Sequence, residues 1–209
     1  MALELWLAFV AASSVVLVIP GPTILTVISY SASHGNRANV ALVAGVALGD
    51  STALVMSLLG LGALLATSAF WFTVVKWIGG LYLLYLGIKL FRSGVTIAAA
   101  NEAAAPPRSR WRLFANTYAV TALNPKSIVF FVAFLPHFID ATGNVTRQLW
   151  IVAVTFVVLA TINAALYAVF AAAARRLLSS GAAQRRFNVL GGSVLSAAGV
   201  WALLVRRPV

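Results

Sequence analysis

Two charged residues stand deep inside apolar runs, where a charge is costly. Asp50 lies about ten residues into one run and Lys126 lies in the middle of another, whereas Glu4, Glu102 and Asp140 are terminal or in polar stretches. A carboxylate at bilayer depth costs at least about 2.5–3.5 kcal/mol on insertion scales, so it is kept for a function or a strong partner. An acid so placed can load and release a proton. A lysine so placed can pair with that acid or hold the carboxylate of a bound solute. The plain alternatives are a structural aspartate near a helix end and a lysine that snorkels to an interface. Lys76, a few residues inside its run, fits the snorkelling reading better than Lys126.

Two proline motifs interrupt the same kind of run. Pro20-Gly21-Pro22 is followed by Thr23, and Asn124-Pro125 is followed by Lys126. Proline donates no backbone hydrogen bond and clashes with the preceding turn. Asparagine is a good N-cap and proline suits the first helical position. Each motif therefore predicts the end of one half-helix and the start of another. Amides freed at such a start carry partial positive charge and suit an anion. Matched breaks in two halves of a chain point to a midplane binding site.

Other chemistries lack their residues. There is no cysteine, and the two histidines, His34 and His137, are far apart at run ends. No nucleophile elbow, phosphate-binding loop or nucleotide fingerprint is present, so neither catalysis nor ATP-driven work is expected of this chain. No metal site and no cofactor are expected. A soft-metal site wants cysteine, histidine or several carboxylates.

The elements that must position these residues follow from composition. Of 209 residues 62% are apolar and only 9% are charged. A soluble fold has too little polar surface here to wrap its core. Six apolar runs are legible, at about 3–33, 40–66, 70–91, 113–139, 149–174 and 187–205. A bilayer core of ~30 Å takes about 20 residues of helix. In lipid every backbone amide needs a partner, and these runs are too continuously apolar for barrel strands. The expected fold is all-α: six transmembrane helices, with helices 1 and 4 broken at the proline motifs. The start, Met1-Ala2-Leu3-Glu4, lacks the basic residues of a signal peptide, so the first run is expected to stay as a helix.

The net charge of +11 is distributed by side rather than as a nucleic-acid-binding face. Arg37, then Lys89, Arg92, Arg108, Arg110 and Arg112, then Arg175, Arg176, Arg185 and Arg186 make 10 charges beside the odd-numbered loops. Lys76, Arg147, Arg206 and Arg207 make 4 on the other side. The positive-inside rule places the first group in the cytoplasm and both termini outside, in a cell membrane. A five-span arrangement with the N-terminus inside is the alternative.

The chain also reads as two related halves in one membrane domain: 1–92, a cytoplasmic linker at 93–112, and 113–209. Gly79, Gly80 and Gly87 match Gly191, Gly192 and Gly199 at an offset of 112, and the proline motifs match at about 103. Three spans per half makes the repeat inverted. Asn163, about 113 residues after Asp50, is the expected polar counterpart of that acid. Gly45-x-x-x-Gly49 directly before Asp50 permits close helix packing.

Several of these segments together resemble one family. Pro20-Gly21-Pro22, Gly45-x-x-x-Gly49-Asp50, Gly79-Gly80-x-Tyr82-Leu83-x-Tyr85-Leu86-Gly87, and the run from Asn124-Pro125-Lys126 to Pro136-His137 are similar to the LysE/RhtB family of amino-acid exporters. The resemblance covers essentially the whole chain and departs from the family at Ala115-Asn116-Thr117. It implies export of amino acids or close derivatives driven by the proton motive force. It also implies that Asp50 and the two proline motifs are functional positions. The partners expected are an amino acid, protons and the lipid bilayer, with a homodimer as an allowed assembly. A metal-cation exporter and a non-transporting scaffold are the alternatives. A scaffold has no use for Asp50 and Lys126 at their depths.

Overall fold

A computed structural model describes residues 1–67, 69–93, 109–140, 142–171, 173 and 180–204. The helices are α1 (Leu3–Val18), α2 (Pro22–His34), α3 (Asn36–Thr67), α4 (Ala69–Ser93), α5 (Arg110–Ala122), α6 (Pro125–Val129), α7 (Val145–Val169) and α8 (Gly181–Leu204). A π-helical turn (Phe130–Phe134) and a 3-10 turn (Leu135–Phe138) continue α6. No strand occurs among the described residues.

Among the described residues three helical stretches are long and apolar enough to cross a membrane: 36–60, 110–138 and 145–169. The pair α1 and α2 makes a fourth if counted as one span. The runs expected as spans three and six are continuous helices of 25 and 24 residues, α4 and α8. Several helices begin earlier than their apolar runs. Asn36 opens α3, and Ser109 and Asn144 cap α5 and α7 by accepting from the Arg112 and Arg147 amides at 3.3 and 2.9 Å. Hydropathy sees only the apolar part of a helix, while the polar cap and first turn lie outside it. Most of the expected linker, 94–108, lies outside the described residues, as do Arg175, Arg176, Arg206 and Arg207.

The two breaks differ. Between α1 and α2 the axis bends by 54°. The second break interrupts α5 and α6 at Leu123-Asn124, yet 110–138 runs on as one span. Pro20 and Pro22 remove two donors within three residues, whereas Pro125 removes one that an N1 position does not need. Further on, Pro136 offers no N–H to the Val132 carbonyl, and the π turn precedes it.

Helix α7 shows what the outside is made for. Val152, Phe156, Ala160, Ala164 and Ala168 are buried in one stripe, while Trp150, Val154, Val158, Ile162 and Leu166 are exposed in another. A helix apolar on both faces suits a protein core on one side and lipid on the other. Two cores flank the breaks. One packs Phe9 of α1 against Phe130, Phe131, Phe138 and Phe156, with the Phe131 and Phe156 rings edge-on at 4.7 Å. The other joins Val27 and Tyr30 of α2 to Leu42 and Val46 of α3 and Ala164 of α7.

Glycines set the closest helix crossings. A Cβ on Gly45 would lie 2.9 Å from the Phe114 carbonyl oxygen, and one on Gly49 would lie 2.6 Å from Thr121 Cβ, so α3 and α5 touch backbone to backbone. Helices α4 and α8, which carry Gly79-Gly80 and Gly191-Gly192, meet where Gly87 faces Gly192 and Ser196.

Candidate functional site

The site begins with the donors that proline cannot supply. In an uninterrupted helix the carbonyls of Val16 and Val18 would accept from the amides of residues 20 and 22. Both are prolines. The helix ends, and four successive carbonyls at its end, from Val16 to the C-cap residue Ile19, accept from side chains of the second half of the chain. Lys126 Nζ donates to Val16 O at 2.9 Å and to Ile19 O at 2.7 Å. Asn163 Nδ2 donates to Leu17 O at 3.1 Å. The Tyr167 hydroxyl donates to Val18 O at 2.8 Å.

The second break is built around Asn124. Its side-chain oxygen accepts from the Lys126 amide at 3.1 Å and so caps α6. Its Nδ2 donates to Thr23 Oγ1, also at 3.1 Å, on the first turn of α2. Thr23, Asn124, Lys126 and Ser127 are all buried. No side chain caps α2 at Gly21, so the first amides of that helix face the break. Gly21 itself is a matter of space: a Cβ there would lie 3.3 Å from Lys126 Nζ.

Asp50, 3% exposed, reaches this junction from α3. Its carboxylate lies beside the Ser127 side chain and interacts favourably with the charge of Lys126. Its Oδ1 has no hydrogen-bond partner among the described residues. Each buried charge thus sits at a helix end of opposite polarity in the other half. The acid of the first half is at the start of α6, and the lysine of the second half is at the end of α1. Such placements are stabilising, by about 0.3–2 kcal/mol depending on burial.

The structure therefore brings together Asp50, Asn124, Pro125, Lys126, Pro20, Gly21, Pro22, Thr23 and Asn163. Lys126 is close enough to Asp50 for their charges to attract, as anticipated, but both of its ammonium hydrogen bonds go to backbone carbonyls, which was not anticipated. Two residues of the junction escaped sequence reasoning. Tyr167 lies one turn from Asn163 on the same face of α7, and that spacing of four was the available signal. Ser127 follows Lys126 directly, and nothing in its type marked it out.

Among the described residues no group of three or more His, Cys, Asp or Glu could hold a metal ion. The junction offers instead amides, carbonyls, one acid and one base in a buried setting. That set suits a small zwitterion and a proton.

Comparison with known proteins is consistent across the chain. The profile of the family described as LysE type translocator matches residues 14–206. A homoserine/homoserine lactone efflux protein of Salmonella typhimurium is 35% identical over 158 residues, 76% of each chain. A leucine efflux protein of the same organism is 34% identical over 161 residues, 76% of this chain and 71% of that one. An uncharacterized membrane protein of Vibrio cholerae is 33% identical over 200 residues, 96% of this chain and 97% of that one. No solved structure matches.

Proposed function

The chain belongs to the LysE type translocator family, and on that premise we propose that it exports amino acids or close derivatives across the cytoplasmic membrane, driven by the proton motive force. The observation that carries the reading is the docking of the two helix breaks on each other, with Asp50 at the junction. The relatives named for homoserine and leucine efflux support the substrate class. They lend nothing to export of a metal cation.

In this mechanism the substrate carboxylate meets the half-helix starts after Pro22 and Pro125, where Thr23 and Asn124 already lie together. Lys126 adds its positive field while its hydrogen bonds stay on α1. Asp50 takes either the substrate ammonium or a proton. Protonation from outside releases the substrate, and deprotonation on the cytoplasmic side allows reloading. The two halves rock about this fixed site. Six spans in an inverted repeat are supported by the common order of broken helix, long helix, long helix in each half. In the same reading the basic loops are cytoplasmic, both termini are outside, and the chain transports without catalysis.

The deciding experiment feeds cells a panel of dipeptides, with and without the protein, and measures free amino acids appearing outside. Release of one or a few amino acids, abolished by Asp50→Asn, is the expected result. No extracellular rise for any amino acid would overturn the reading.

A further inference from the structure

The carbonyl cluster at the end of α1 has a property the transport cycle above does not use. Backbone oxygens at an unwound helix end are hard ligands at the negative pole of a helix, the setting in which transporters coordinate alkali cations. Here the position is filled by an ammonium group carried by the chain itself. Val16, Ile19 and Lys126 are all buried, so bulk water is a poor substitute donor for these oxygens. The absence of a side chain at Gly21 keeps the space around Nζ open for a small cation.

We infer that the ammonium of Lys126 is a built-in cation, occupying a site at Val16 O and Ile19 O that takes a sodium or potassium ion once the lysine is removed. The groups facing it are consistent with this. From α1 come only carbonyls; from α3 comes Asp50, of opposite charge; from α7 come Asn163 and Tyr167, neutral donors already engaged on Leu17 O and Val18 O. The site therefore holds one positive charge and is closed to a second. The consequence for transport, which rests on the exporter reading, is that the wild-type protein works without any alkali-cation requirement. Cation binding by a lysine-free variant does not depend on that reading.

The test uses wild type and Lys126→Met, with thermal stability measured in choline, sodium and potassium chloride at equal ionic strength. A cation present at about ten times its Kd should raise the Tm of Lys126→Met by roughly 3–6 °C over choline, and leave wild type unchanged. No rise in the variant, or an equal rise in wild type, overturns the inference. In liposomes wild type should export equally in all three salts. Lys126→Met loses two charge-assisted hydrogen bonds at once, so it should be at least about tenfold slower in choline and recover with sodium or potassium. Sodium-dependent wild-type export also overturns it, and if the folded variant is inactive in every salt its Tm shift alone decides the cation site. Should Lys126→Met fold only when purified in an alkali salt, that itself supports the site. Failure in all three salts, with Lys126→Gln also indifferent to the cation, counts against it. Wild type that moves no amino acid defeats the exporter reading and leaves the stability measurement to decide the cation site.

Discussion

Asn124 donates its side-chain amide to the Thr23 hydroxyl across 101 residues of sequence, at 3.1 Å, and this bond ties the two helix breaks together. Both groups are buried, so each would otherwise lose its partner to lipid or protein. A double-mutant cycle of Thr23→Val and Asn124→Ala should show a coupling of about 0.6 kcal/mol, the average for such bonds between membrane helices. Additive single effects would mean that the breaks are held together by packing alone.

Asp50→Asn keeps the volume of the side chain and an oxygen for Ser127, so the fold should survive. Gradient-driven export should fall by on the order of tenfold or more, because an amide cannot exchange a proton near neutral pH. Export measured with and without an imposed pH gradient checks this. A variant that still responds to the gradient removes Asp50 from the coupling step.

Gly49→Ala places a Cβ 2.6 Å from Thr121 Cβ at the α3–α5 crossing. The helices must separate there, at a cost of about 1–3 kcal/mol. Gly60→Ala meets nothing within 4 Å and should be neutral or gain up to about 1 kcal/mol from helix propensity. A thermal melt of both variants distinguishes close packing from a general intolerance of change in α3.

Tyr167→Phe removes the donor on Val18 O and nothing else. The loss expected is about 0.5–1.7 kcal/mol, and Asn163→Leu should cost a similar amount through Leu17 O. Both variants loosen the end of α1, so export should be affected with the substrate preference unchanged. A changed preference would instead mark these residues as substrate ligands.

Gly21→Ala brings a methyl group to 3.3 Å from the Lys126 ammonium. The lysine tip must give by a few tenths of an ångström, which strains its bonds to Val16 O and Ile19 O. Export should fall by several-fold, less than the loss of a whole hydrogen bond to a charged group would cause. Wild-type export by this variant would show that the lysine tip can move freely.

How much of this was legible beforehand depended on the range of the signal. The breaks at Pro20, Pro22 and Pro125 were readable because a missing N–H is a property of the residue itself. Asp50 was readable because its depth in an apolar run needs no neighbour to be noticed. The 54° bend of the first break and the near-continuous path of the second were not readable, because they depend on what takes up the freed carbonyls. The same limit hid Tyr167, one tyrosine of five until its hydroxyl meets Val18 O 149 residues away.

By itself, then, the amino-acid sequence determined an all-helical membrane protein of this family, the places where two helices must break, and the burial of one acid and one base. These are local consequences of hydropathy, of proline geometry and of charge. Only the tertiary structure decided which helix end each buried charge serves. Lys126 lies 107 residues from Ile19, its nearer carbonyl partner, and nothing between them in sequence carries that distance. The pairing arises because crossing helices bring an electron-rich helix end and a desolvated ammonium to the one place where each offsets the other.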